Sequence, residues 1–506
     1  MMGVSGVTLR GTQAFPVEVE VEITGGLFSI TVVGLPDTAV KEARERVRAA
    51  LRGIGLTLKG RIAINLAPAD LPKEGALLDL PMAVGLARAS GRHEEGGNAL
   101  FMGELALDGR LRWVRGAVPA AILAKELDIP LYVPKENERE VSLVTGVRAY
   151  AVENLLELML HLSGEKPLQQ VEGGSFADEN FDPEVDLADI KGQFAAKRAL
   201  EIAAAGHHNM LLTGSPGSGK TLLARALKGI LPPLSDEEMM EVLIVRSTAG
   251  LPLESGRARP FRTAHHTASS VAICGGGSSL RPGEISLADR GVLFLDEFPE
   301  FSRDVLESLR QPLEDGTITV SRAAGSVTYP ARVLLVTACN PCPCGFSGDP
   351  IEQCRCTPHS LDRYQRKLSG PILDRIDLHV AVPRLKPEEL VSLDGEGGEP
   401  SETVRLRVQA ARERQQGRWR SLGFHCNAEL PEKILRKRVD MEPDVKPFLA
   451  QTMKGLRLSG RGFSRVLRVA RTIADLEGVG SISVHHVAEA LSYREGEAFG
   501  SSAWRR

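Results

Sequence analysis

The octapeptide Gly214-Ser215-Pro216-Gly217-Ser218-Gly219-Lys220-Thr221 follows an apolar run, Asn209-Met210-Leu211-Leu212, and precedes a helix-like one, Leu222-Leu223-Ala224-Arg225-Ala226-Leu227. It satisfies G-x-x-x-x-G-K-[ST] between a strand and a helix, the setting in which that pattern holds phosphate. Its glycines let the backbone turn N–H groups inward onto phosphate oxygens, and the following helix adds the positive end of its dipole. Lys220 is expected to reach the terminal phosphates and the Thr221 hydroxyl to ligate Mg²⁺. The nucleotide-binding stretch is read as Gly214 through Leu222.

Outward from the loop, Val292-Leu293-Phe294-Leu295-Asp296-Glu297 is an apolar strand that ends in two carboxylates. Strand ends of this kind lie where α/β proteins bind ligands. Asp296 alone suffices to hold Mg²⁺ through its water shell, which frees Glu297 to take a proton from an attacking water. Loop and carboxylate pair together predict hydrolysis of a nucleoside triphosphate, not binding alone.

A chain of 506 residues is too long for one ordinary core and predicts about three domains. Composition is that of a globular protein, 42% hydrophobic and 25% charged, with no apolar run long enough for a membrane span. The amino terminus lacks the charged-then-apolar pattern of a secretory signal, so a cytoplasmic address is expected. A net charge of −3 excludes a globally basic nucleic-acid coat, though not a local basic channel. Of the seven cysteines, Cys342, Cys344, Cys354 and Cys356 are closely spaced, which in a reducing compartment reads as metal or buried thiols.

Polar, Gly/Pro/acid-rich stretches divide the chain into residues 1–165, a linker over 166–186, a nucleotide-binding block over 187–385 and a helical block over 400–500. The first block alternates strand-like runs (Val17–Ile23, Arg61–Leu66) with helical ones (Val40–Leu51, Leu80–Ala89), which predicts a layered α+β or α/β structure. The last begins with the arginine-rich Val404–Arg412; a solvated helix face is its ordinary meaning and DNA contact the alternative.

Further features come into register in the middle block. Val333-Leu334-Leu335-Val336-Thr337-Ala338 leads to Cys339-Asn340-Pro341, then come Ser369-Gly370-Pro371-Ile372-Leu373-Asp374-Arg375 and Ser459-Gly460-Arg461-Gly462-Phe463. This series resembles AAA+ ATPases of the magnesium-chelatase-like branch. With Val33-Gly34-Leu35-Pro36-Asp37, Ala264-His265-His266-Thr267, Gly275-Gly276-Gly277, Pro282-Gly283-Glu284 and the cysteine-rich insert, it resembles the YifB/ComM family over nearly the whole chain.

The resemblance implies an α/β fold: an AAA+ phosphate-loop ATPase module with a helical lid, binding ATP and Mg²⁺. It implies Lys220, Asp296 and Glu297 as catalytic groups, Asn340 as the residue that orients water, Arg375 as a finger entering a neighbour's site, and Arg461 as a γ-phosphate contact. A permanently charged planar fork suits both arginine roles. A finger acting in trans requires a ring, and a homo-hexamer is expected. Gly316–Tyr329 reads as a hairpin, with Arg322 beside its turn placed to follow DNA phosphates.

Gly103-Glu104-Leu105-Ala106-Leu107-Asp108-Gly109 and Val133-Pro134-Lys135 resemble the proteolytic domain of Lon, an α+β fold of the ribosomal S5 domain 2 type. That chemistry needs a serine and a lysine, and this chain has Leu77 and Val118 at those positions, so no peptidase activity is expected. In the insert, C-x-C pairs at 342–344 and 354–356 read as a four-thiolate structural zinc site, with His359 a possible substitute ligand and buried unliganded thiols the alternative. His265 and His266 are adjacent, not at i, i+4, which argues against a second metal there. The leading functional reading is a ring-forming DNA motor for branch migration in recombination or natural transformation. The alternatives are the ATPase subunit of a magnesium chelatase, from which the amino-terminal block and cysteine insert are expected to set this chain apart, and an ATP-dependent protease-like factor.

Overall fold

The computed structural model describes residues 4–73, 75–91, 98–176, 184–253, 256–277, 280–322, 325–368, 372–385, 398–456 and 460–494. The motif residues Ser369, Gly370, Pro371 and Ser459, and the hairpin turn at Ala323 and Ala324, lie outside them.

Strict alternation in Gln13–Thr24 turns Val17, Val19, Val21 and Ile23 toward one apolar cluster, as a strand with one buried face requires. This strand lies in a seven-stranded mixed sheet whose edges are Ser29–Val33 and Ala149–Val152. Helices Thr38–Gly53 and Asp79–Ala89 join that cluster, and they are pinned together where Arg46 meets the buried Asp79 at 2.7 Å. Behind Ala149–Val152 the chain expected as a linker continues along the edge, with the Val171 N–H donating to the Ala149 carbonyl over 2.8 Å.

The second sheet is wholly parallel, in the order Phe261–Ala264, Val292–Leu295, Leu334–Cys339, Met210–Thr213, Leu378–Ala381. Its residues alternate between two cores: Met210, Leu212, Phe294 and Val336 face one, Leu211, Leu293, Leu295 and Leu335 the other. Burial on both faces explains why these strands read as unbroken apolar runs. The chain leaves Met210–Thr213 toward Phe261–Ala264 at one edge and later passes it to reach Leu378–Ala381 on its other side, the change of direction at which α/β sheets open a crevice at strand carboxyl ends.

The carboxyl-terminal helices Ser401–Trp419, Gly460–Glu477 and Val484–Ser492 share the first core with the sheet and with helix Phe194–Gly206. The arginine-rich face expected to be solvated is instead largely paired within the fold. The arginines of Ser401–Trp419 serve internal pairing more than solvent: Arg412 is buried and donates to the Ala204 carbonyl, Arg407 meets Glu201 at 2.7 Å, and Arg418 meets Asp475 at 2.8 Å. Sequence charge could not show this because Glu201, Asp475 and the Ala204 carbonyl lie far along the chain, whereas the nearby Glu399 and Glu402 that also meet Arg407 and Arg405 are exposed. The amino-terminal unit docks on helix Asp236–Ala249, where the Gly116 N–H donates to the Ser247 carbonyl over 2.9 Å. No helix among the described residues is long and apolar enough to cross a membrane.

Candidate nucleotide site

The phosphate loop leaves strand Met210–Thr213 and enters helix Lys220–Ile230. Gly217 and Gly219 hold φ of +75° and +92°, a region L side chains enter only with strain. Gly214 is fixed by space: a Cβ there would stand 2.1 Å from the Val382 carbonyl oxygen. The Ser218 hydroxyl is buried with no hydrogen-bond partner among the described residues, an unsatisfied donor inside a loop suited to an anion. Leu222 lies exposed in the first turn of the helix.

Lys220 is buried, and its Nζ donates to the Gly214 and Ser215 carbonyls at 2.7 and 3.0 Å and to Asn340 Oδ1 at 3.2 Å. Burial pushes its pKa down, and the Asp296 carboxylate opposes that shift. Asn340 directly follows the neighbouring strand Leu334–Cys339, and its carbonyl accepts from the buried Tyr364 hydroxyl over 2.9 Å. Thr221 Oγ1 donates to Asp296 Oδ2 across 3.0 Å. A hydroxyl and a carboxylate so placed are hard oxygen ligands that fit Mg²⁺, whose chemistry would be to neutralise phosphate charge.

Glu297 follows Asp296 in a left-handed conformation, φ +50°, which turns it off the strand, and its Oε2 lies 2.9 Å from His266 Nδ1. The sequence reading placed His266 in the family pattern and weighed it as a metal ligand, and missed this pairing. It also missed Gln193, whose amide bridges the Ser218 and Pro383 carbonyls at 3.3 and 2.7 Å. Neither had a motif to announce it, since each depends on a strand or loop brought close by the fold.

Arg375, which is buried, and Arg461 lie away from Lys220. Both line a cleft of about 550 Å³ that also holds Glu314, Asp377, Arg465 and Arg468 and no residue of the phosphate loop. The Arg375 guanidinium contacts Glu314, and its carbonyl accepts from the Asn209 side chain over 3.0 Å. Asn209 stands at the amino end of the strand whose carboxyl end opens into the phosphate loop.

Three family models match the chain: "Magnesium chelatase, subunit ChlI" over residues 186–390, "Subunit ChlI of Mg-chelatase" over 19–137 and "Magnesium chelatase, subunit ChlI C-terminal" over 398–494. YifB of Escherichia coli is 45% identical over 492 residues, 96% of this chain and 95% of YifB. Competence protein ComM of Haemophilus influenzae is 44% identical over 496 residues, with the same shares. The chain belongs to the YifB/ComM family of magnesium-chelatase-like proteins.

YifB/ComM membership brings ATPase chemistry with ATP and Mg²⁺. The chloroplastic magnesium-chelatase subunit ChlI of Chlamydomonas reinhardtii is more distant, 24% identical over 305 residues, 53% of this chain and 64% of that protein. The match over residues 19–137 corrects one expectation: the amino-terminal block does not by itself set the chain apart from chelatase subunits.

The four insert cysteines converge. Cys342 Sγ lies 3.3 Å from Cys344 Sγ and 3.7 Å from Cys354 Sγ, and Cys344 and Cys354 stand 3.6 Å apart. With metal–sulfur bonds of about 2.3 Å, a tetrahedron has edges of about 3.8 Å. Backbone N–H groups of Cys344 and Ser347 donate to the Cys356 and Cys342 sulfurs at 3.4 and 3.3 Å, as expected around thiolate ligands. His359 is not part of this cluster. Glu477, His485 and His486 also converge, but the Ser483 N–H donates to His486 Nδ1 over 2.9 Å. That leaves the proton on Nε2, facing Glu477 at 3.0 Å, so the trio is a hydrogen-bonded pin and not a ligand set.

Proposed function

We propose that the protein is a ring-forming, ATP-driven DNA motor that promotes branch migration. The observation that carries this reading is the separation of the catalytic groups. Lys220, Thr221, Asp296, Glu297 and Asn340 meet at the carboxyl end of the parallel sheet, while Arg375 is anchored to Asn209 at the other end of strand Met210–Thr213. At about 3.3 Å per residue the two ends of this strand are more than about 10 Å apart. We therefore assign Arg375 and Arg461 to a neighbour's nucleotide, which Arg375, buried against Glu314 in the single chain, would reach on assembly, and turnover then requires a closed assembly of copies, a homo-hexamer by the family's pattern.

Within one site, the loop amides and Lys220 hold the phosphates, Asn340 orients a water, and Glu297 takes its proton. Thr221 and Asp296 would hold Mg²⁺. The neighbour's guanidiniums then offset charge that builds on the transferring phosphate.

Two features favour DNA as the substrate of motion. The relative from Haemophilus influenzae is named a competence protein. Strands Thr317–Arg322 and Gly325–Pro330 form an antiparallel hairpin that packs Ile318, Val320, Val327 and Tyr329 into the sheet's second core and meets Arg10 through the Ser326 carbonyl at 3.3 Å; its other face, with Thr319, Ser321, Ser326 and Thr328, is exposed and polar, a surface suited to following a phosphate backbone. The Arg322 side chain, expected to make that contact, lies outside the described residues. Four thiolates at Cys342, Cys344, Cys354 and Cys356 are proposed to hold one structural zinc.

The chelatase-subunit reading keeps support from the three family matches. A peptidase reading has none in the side chains: Leu77 and Val118 are buried in one apolar cluster, and neither bears a nucleophile or a base. We read the amino-terminal unit as a degenerate Lon-like scaffold. Conversion of a synthetic four-way junction to forked duplexes, dependent on ATP and abolished by Lys220→Ala, tests the proposal; a junction left intact at all protein concentrations contradicts it.

A further inference from the structure

Residues 345–353, the loop between the two cysteine pairs, lean on the phosphate loop. A Cβ on Gly345 would stand 2.7 Å from Pro216 Cδ and 2.8 Å from its Cγ, so the backbone of the insert touches the octapeptide with no room for a side chain between them. Asp349 Oδ1 accepts from the Glu352 and Ile351 N–H groups at 2.8 and 2.9 Å, and its Oδ2 is buried without a hydrogen-bond partner among the described residues; slight burial pushes its carboxyl up, but the neighbouring Ser215 hydroxyl and those two N–H groups hold it below the usual range. Glu352 meets Arg384 at 3.3 Å, two residues past Val382, the residue whose carbonyl closes on Gly214. One short loop thus braces the outer side of Ser215 and Pro216.

That brace has almost no core of its own. Of residues 342–356, only Cys342 and Gly345 are buried, and a segment of this size without apolar burial needs a cross-link to hold one shape. The thiols supply it at both ends of the bracing loop. Resting on the zinc reading above, we propose that metal bound by the four cysteines fixes the outer wall of the nucleotide site, so that nucleotide affinity follows metal occupancy. The physical cause is preorganisation: a loop already held in its binding shape spends less of its interaction energy on ordering.

The test reads binding and needs no turnover. A fluorescent ADP analogue is titrated into protein as purified, after stripping by a strong chelator, and after return of Zn²⁺, with metal content measured on each sample. The expected result is about one zinc per chain as purified, about tenfold weaker binding once stripped, and recovery on adding Zn²⁺. Asp349→Ala, which leaves every thiol in place, should keep the metal and still weaken binding about threefold. This variant decides the matter if stripping unfolds the chain. Unchanged affinity in a stripped but folded protein, or in a metal-loaded Asp349→Ala variant, overturns the coupling and leaves the zinc reading standing. Freshly purified protein without metal overturns both.

Discussion

Thr221 donates its hydroxyl hydrogen to Asp296 across 3.0 Å, which joins the first turn of the phosphate-loop helix to the carboxyl end of a strand two places away in the sheet. The fold thus delivers hydroxyl and carboxylate to one point. Glu297, turned aside by its left-handed backbone and paired with His266 at 2.9 Å, is the proposed proton acceptor. Glu297→Gln should retain nucleotide and lose about a hundredfold or more in turnover, because amide replaces base without altering shape. Lys220→Ala should lose binding as well, since it removes a cation from the phosphates. Equilibrium binding and steady-state hydrolysis of both purified variants separate these effects, and wild-type rates in either would displace the assignment.

Arg375→Ala should be inactive alone and recover part of its activity when mixed with Lys220→Ala protein. In a mixed ring some sites combine an intact phosphate loop with an intact arginine. Arg461→Ala should complement the same way, because both arginines line one cleft. Demonstrated co-assembly without recovery at any ratio would place the arginines in their own subunit's site.

Replacing Cys354 and Cys356 by Ser should remove the metal and open residues 342–356 to limited proteolysis while the rest of the chain stays folded. Sparse burial in the insert leaves little else to protect it. Identical digestion patterns for variant and wild type would mean that the thiols are merely packed.

His379 is buried without a hydrogen-bond partner at either ring nitrogen among the described residues. Burial foremost, and then the Arg494 guanidinium, lower its pKa from 6.5 to about 3. On acidification the unfolded chain therefore takes up this proton first. The stability that His379 contributes is intact above pH 6.5 and is lost as the pH falls from 6.5 toward 3, at about 1.4 kcal/mol per pH unit. Denaturant melts of wild type and His379→Asn should thus differ in slope between pH 6.5 and 5, with the variant the flatter; equal slopes would mean that His379 is protonated in the folded state.

Much of the site was legible because its chemistry is local in sequence. The phosphate loop needs glycines, a lysine and a hydroxyl in one octapeptide, and Asp296 and Glu297 end a strand whose unbroken apolar run marks burial on both faces. The cysteine pairs likewise announced their convergence. What stayed hidden was carried by distant partners: His266 against Glu297, Gln193 against Ser218, Gly345 against Pro216, and the carboxylates Glu201 and Asp475 that take up the arginines of helix Ser401–Trp419. Those arginines read as solvent-facing because charge in a sequence shows composition, not pairing. That Arg375 and Arg461 line one cleft was equally invisible, since it depends on how the last helices pack against the sheet.

The most direct test of a ring-forming DNA motor is steady-state ATP hydrolysis with forked, single-stranded and duplex DNA and without DNA, each at two salt concentrations. A motor of this kind predicts stimulation that weakens with salt and is nearly indifferent to base sequence, with Arg322→Ala reducing stimulation and lowering the salt slope by about one unit while basal hydrolysis persists. Hydrolysis and binding unchanged by every form of DNA would contradict it and bring the chelatase-subunit reading to the front.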